Sequence, residues 1–119
     1  MSEVKTYEAP ELLGELVLFE IDADYSRDAV TLKGPVEALP MGTVLVKNAD
    51  GTFLPWAATD TDAAGVLLAD VAASSSDVDA PALRRGGIVS AAALKWPDGA
   101  EEKKPAALAA LEALGIVAR

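Results

Sequence analysis

The sequence predicts a mainly β, α+β fold: a compact β-rich single domain with a β-hairpin, one C-terminal helix and an extended N-terminal arm. Three observations carry this expectation. Short β-rich runs alternate with turn residues along most of the chain. The stretch "GTVLVKNADGTFLPW" has the form of a hairpin. Only the last stretch, "PDGAEEKKPAALAALEALGIVAR", has a sustained helical pattern.

Residues 1 to 15 are polar, contain Pro10 and Gly14, and show no sustained period. "LVLFEID" is a short strand candidate, with Leu16, Leu18 and Glu20 on one face and Val17, Phe19 and Ile21 on the other. A second candidate runs from Arg27 to Lys33 and stops at Gly34-Pro35, since proline has no ladder donor. Thr43 to Lys47 and Thr52 to Trp56 flank the turn Asn48-Ala49-Asp50-Gly51, where Asn and Asp accept turn geometry and Gly supplies positive φ. "GVLLADV" reads as a strand buried on both faces. The small, polar, acidic run "ASSSDVDAPA" reads as a surface loop, and "LRRGGIVSAAAL" as one or two strands about a bulge or tight turn at Gly86-Gly87. In the helix, Leu108, Leu111 and Leu114 share a face and form its core side. Pro105 belongs in a first turn, so regular helix starts near 105, Gly115 sits where a C-terminal cap belongs, and "IVAR" leaves the helix as a short extended tail. No internal repeat or second domain is visible. The division expected is an arm over 1–24 and a β-rich domain over 25–119.

Composition narrows the function. Of 119 residues, 51 % are hydrophobic but only 5 % aromatic, so the core must rest on Ala, Val, Leu and Ile. Nineteen acidic residues against ten basic ones give a formal charge of -9, and the basic residues are scattered. Phosphate contacts dominate nucleic-acid affinity, so no nucleic-acid partner is expected. There is no Cys and no His, which removes disulfides, thiolate nucleophiles, imidazole bases and the commonest zinc ligands. No apolar run reaches the roughly 20 residues of a membrane span, and no secretory signal is seen. The expectation is therefore synthesis in a cytoplasm, with no membrane partner.

Motifs that could carry chemistry fall short. "DTDAAG", from Asp60, resembles the start of a calcium loop, but its fifth position is Ala64 and its twelfth Val71, where a carboxylate is needed. "RRGG" lacks the spacing of a phosphate cradle and reads as a bulge flanked by surface charges or as a basic pair facing a partner. Serine catalysis without His needs a Lys base, and no Ser-x-x-Lys occurs. Paired carboxylates for hydrolysis are not singled out by any spacing. The chain reads as a non-enzyme with no cofactor, no metal site and no small-molecule substrate. A second class stays open: a non-catalytic carrier or adaptor domain of the biotinyl or lipoyl kind, presenting Lys95 of "AALKWP". Trp96-Pro97 after that lysine instead suits a strand leaving the core. Trp56 and Trp96 are read as core or interface residues, since each of so few aromatics should matter for packing.

Five segments in order, "YSRDAVTL", "MGTVLVK", "AAGVLLADV", "RRGGIVSAAALKWP" and "ALEALGIVAR", resemble the head decoration proteins of lambda-like tailed bacteriophages over about residues 25 to 119. The departure is Pro105, inside a region where relatives have an uninterrupted helix. The resemblance implies a compact, mainly β domain that forms homotrimers. These would sit on the outside of the expanded capsid, at or near threefold axes, and cement the lattice of major capsid protein against packaged DNA. It also implies an N-terminal segment that is mobile in free protein and orders on the capsid. On that reading Tyr7, Leu12, Leu13, Leu16, Val17, Leu18, Phe19 and Ile21 form the capsid-binding arm. The competing reading pairs "LVLFEI" within its own domain or across its own trimer.

Overall fold

The computed structural model describes residues 13–57 and 62–119. Five strands close a small barrel in the order β2-β4-β3-β5-β6: β2 (Arg27–Leu32), β3 (Val44–Lys47), β4 (Phe53–Pro55), β5 (Gly65–Leu67) and β6 (Val78–Leu83). A separate three-stranded sheet has the order β1-β7-β8, with β1 (Val17–Glu20), β7 (Gly87–Val89) and β8 (Ile116–Ala118). Single-turn helices α1 (Leu13–Leu16) and α2 (Ala23–Ser26) flank β1, and α3 (Lys104–Ala113) packs on β8.

Burial explains the patterning of the strands. Val30, Leu32, Leu45, Phe53, Leu67, Ala80 and Ala82 fill the barrel. Their neighbours Val44, Val66 and Leu83 point the other way, into a second core with Leu16, Val89, Leu111 and Ile116. β3 and β5 are therefore covered on both faces, which is why they read as continuous apolar runs. β2 has one solvated face and alternates accordingly, with Thr31 bonded across to Asp79 at 2.9 Å.

The hairpin forms as expected, with Val46 opposite Leu54 and Gly51 at φ +92° in its turn. α3 starts at Lys104 and takes Pro105 in its first turn, where the missing N–H costs nothing. Leu111 is buried in the second core, and Leu108 and Leu114 are half-buried against it. Gly115, at φ +85°, ends the helix and donates to the Glu112 carbonyl at 2.9 Å.

Three expectations need correction. First, "ASSSDVDAPA" is not all loop: Val78–Leu83 is a full strand pairing with β2 from Leu32↔Val78 to Arg27↔Leu83. Val78, Ala80 and Ala82 alternate inward, and the turn-forming composition masked this period. Pro81 is tolerated because its ladder groups face the end of β5. Its carbonyl accepts from Leu68, one residue past that strand, at 3.0 Å. Second, "IVAR" is no free tail, since Ile116–Ala118 pairs in parallel with β7. Third, residues 13–24 do not stand apart from the domain. β1 pairs antiparallel with β7, and Leu16 is fully buried, so Leu16 is a core residue rather than part of a free arm.

Leu16 and Leu18 lie two residues apart with opposite burial, which gives a direct check on that boundary. Leu16→Ala should destabilise the fold by about 2–5 kcal/mol, as large-to-small core changes do. Leu18→Ala should cost under about 0.5 kcal/mol. Urea unfolding of both variants measures the difference.

Candidate functional site

The turn between β6 and β7 builds the site. Gly86 has φ +58°, a left-handed conformation that favours glycine, and a Cβ there would lie 2.8 Å from Ile21 Cδ1, which would have to move aside. Its carbonyl accepts the Ile21 N–H at 3.0 Å and the Ser26 hydroxyl at 3.0 Å. The Ser26 carbonyl in turn accepts the N–H groups of Arg84 at 2.8 Å and Arg85 at 3.3 Å. Ser26 is fully buried, and its polar groups are satisfied by this turn. On the other side, Gly86 N–H donates to Leu114 at 3.2 Å and Gly87 N–H to Gly115 at 3.0 Å. One short turn thus holds β1, α2 and the end of α3.

The "RRGG" arginines are spent inside the domain. Arg85 donates to the Tyr25 carbonyl at 2.6 Å and to Asp28 at 2.7 Å, and its guanidinium lies 5.6 Å from the Tyr25 ring centroid. Arg84 donates to the Ala64 carbonyl at 2.9 Å and lies 4.9 Å from the Phe53 ring centroid. Arg27 grips Glu20 with two bonds, at 2.6 and 2.7 Å. The Arg27 hydrogen bonds hold the Glu20 carboxyl below its usual range, and the Arg85 hydrogen bond does the same for Asp28.

This scaffold presents large apolar side chains to solvent. Leu18 is 53 % exposed, Phe19 56 %, Ile21 65 % and Tyr25 53 %. All four fall between residues 18 and 25, and Ile21 and Tyr25 meet over Gly86. Val17 and Leu13 are half-buried against the core. Tyr7 and Leu12 lie outside the described residues, as do Asp60 and Thr61 of "DTDAAG". Tyr25 was not foreseen as part of the patch, although an exposed aromatic following "DAD" was its available signal.

Trp56 is buried and meets Trp96 edge to face, with ring centroids 5.1 Å apart. Trp96 is half-buried under the Lys104 ammonium, 5.6 Å from the ring centroid. Lys95 is half-buried, with its N–H on the Gly42 carbonyl at 2.9 Å and a bridge to Thr43, so it is not displayed at a hairpin tip. Among the described residues no group of three His, Cys, Asp or Glu side chains could hold a metal ion, and no helix is long and apolar enough to cross a membrane.

A family model described as "Bacteriophage lambda head decoration protein D" matches residues 6–116, nearly the whole chain. No curated protein matches the sequence. The match defines a class first, a structural phage protein that decorates the capsid and not an enzyme family. Within that class, the chain belongs to the family of the lambda head decoration protein D.

The pinned carboxylates set an acid dependence. Both folded-state pKa values are depressed, so their contribution to stability is present above the ordinary carboxylate range. It is lost as pH falls through the lowered values. Arg27→Ala and Arg85→Ala should each flatten the acid limb of the urea-midpoint profile, while Lys47→Ala, on the solvent side of β3, should leave it unchanged.

Proposed function

We propose that this protein binds the outside of the expanded phage head as homotrimers at or near threefold axes, and there cements the lattice of major capsid protein. The observation that carries the reading is the family match across almost the entire chain. The exposed apolar patch at Leu18, Phe19, Ile21 and Tyr25 adds the surface such a role needs.

The capsid-docking element is the set of residues before α1, Tyr7 and Leu12 among them, together with Ile21 and Tyr25 beside the Gly86 turn. An extended segment can add to an open sheet edge of the capsid protein. Main-chain bonds then supply affinity and alternate side chains fill pockets. Ordering such a segment costs about 1–2 kcal/mol per residue, so one arm alone binds weakly. Three arms on one trimer change the arithmetic, because once one docks the others bind at high effective concentration. Cementing follows by linkage, since whatever binds only the expanded lattice opposes its dissociation.

The charge supports an outer location. A formal charge of -9 is compatible with a solvated shell surface and unfavourable beside packaged DNA. Synthesis in the host cytoplasm and assembly onto finished heads complete the reading.

Because Leu16 is a core residue, a clean truncation must stop before α1. A variant lacking residues 1–12 should keep the circular-dichroism spectrum and oligomeric state of the full chain. Its co-sedimentation with expanded, undecorated capsids should fall at least about tenfold, a loss worth about 1.4 kcal/mol. Undiminished binding would remove the arm from the mechanism.

A further inference from the structure

Two Asp-Gly pairs occur in the sequence, at 50–51 and at 98–99, and both stand in exposed turns. Such a pair carries a chemistry of its own. With no Cβ on the second residue, its main-chain nitrogen can swing onto the aspartate side-chain carboxyl carbon and close a succinimide ring. The attack needs an amide that is not already donating and a carboxyl free to turn toward it. At 50–51 the fold withholds both. The Gly51 N–H donates to the Asn48 carbonyl at 3.0 Å. Asp50 Oδ1 accepts from the Thr52 hydroxyl at 2.6 Å and the Thr52 N–H at 3.0 Å, and Oδ2 lies 3.7 Å from the Lys33 ammonium. The bond from the Thr52 hydroxyl, aided by the others, holds the Asp50 carboxyl below its usual range, in the ionised form that is the poorer electrophile.

At 98–99 neither constraint operates. Pro97, Asp98 and Gly99 are all exposed. Asp98 forms no hydrogen bond or ion pair with any described residue, and the Gly99 N–H has no acceptor among them. Gly99 has φ +79°, and nothing lies within 4 Å of the place a Cβ would take, so the turn has room for the ring.

We propose that Asp98–Gly99 is a self-modification site of the native protein, converting to isoaspartate through a succinimide, and that the fold spares the same pair at 50–51. The Gly99 nitrogen bonds to the Asp98 side-chain carboxyl carbon, and the carboxyl hydroxyl leaves with the amide proton as water. Water then reopens the ring. Cleavage between the nitrogen and the side-chain carbonyl restores aspartate. Cleavage between the nitrogen and the main-chain carbonyl leaves the main chain running through the side chain, one methylene longer. The net change consumes nothing, since the water lost is regained. The added methylene falls just before Ala100, which is buried and whose carbonyl accepts the Lys103 and Lys104 N–H groups, each at 2.9 Å, where α3 begins. Protein fixed on a capsid is not resynthesised, so the product accumulates with the age of the particle.

The two pairs serve as each other's control. Trypsin releases Asp98 in the peptide Trp96–Lys103 and Asp50 in the peptide Asn48–Arg84. The full chain is held at neutral pH and physiological temperature, natively and in urea, and sampled over weeks. Mass spectrometry with electron-transfer fragmentation then reads the succinimide, one water lighter, and the isoaspartate in each peptide. In native protein the products should form at least about tenfold faster at Asp98 than at Asp50, equivalent to about 1.4 kcal/mol of barrier. In urea the two rates should converge, because the difference comes from the fold. Asp98→Glu, which would have to close a larger ring, should leave its peptide free of product with an unchanged circular-dichroism spectrum. Thr52→Ala should speed the reaction at Asp50 in native protein, and an unchanged rate there would overturn the protective role given to that side chain. Native protein in which the two sites react alike, or in which Asp98 reacts only once urea is added, would overturn the assignment of the site.

Discussion

The turn from Arg84 to Gly87 is where barrel, sheet and C-terminal helix are hydrogen-bonded to one another. Its main chain accepts from Ile21 and from the Ser26 hydroxyl, and donates to Ser26, Leu114 and Gly115. The constraint beneath this is steric. Gly86 holds φ +58°, a conformation that residues with a Cβ rarely adopt, with Ile21 and Tyr25 packed over it. The exposed patch is therefore mounted on a densely hydrogen-bonded junction. Preorganisation of that kind lowers the ordering cost of docking, and so more of the contact energy appears as affinity.

The two arginines of the turn show why a charged pair in a sequence says little about partners. From sequence, Arg84 and Arg85 read first as surface charges flanking a bulge and only second as a basic face for a partner. In the structure both fold back, onto Asp28, the Tyr25 and Ala64 carbonyls, and the rings of Phe53 and Tyr25. Planar, multiply donating guanidinium groups suit that clamping work. What they leave outside is the apolar side of Ile21 and Tyr25, on a chain otherwise dominated by carboxylates. That edge therefore shows apolar side chains, rather than free cations, to its surroundings.

Local signals carried most of the fold. The Asn48–Gly51 turn, the double-sided burial of β5, Pro105 in the first helical turn and Gly115 at its end were all legible, because each depends on chemistry within a few residues. The misses share the opposite cause. Val78–Leu83 is a strand because β2 and β5 lie on either side of it, and that long-range pairing outweighs its turn-like composition. Ile116–Ala118 becomes a strand only because β7 is beside it. Leu16 belongs to the core because β1 meets β7 across some seventy residues of sequence, with Val17 opposite Val89. The candidate surface was half legible for the same reason. The apolar run at 16–21 was visible, but which of its residues turn inward was set by β7 and the Gly86 turn.

The central claim, that this domain decorates the exterior of an expanded head, is most directly tested by cryo-electron microscopy of expanded capsids incubated with saturating protein. The account predicts new trimeric density on the outer surface at or near the threefold axes, with the Ile21–Tyr25 side of each domain turned toward the shell. Density on the inner surface, or capsids indistinguishable from undecorated ones, would contradict it.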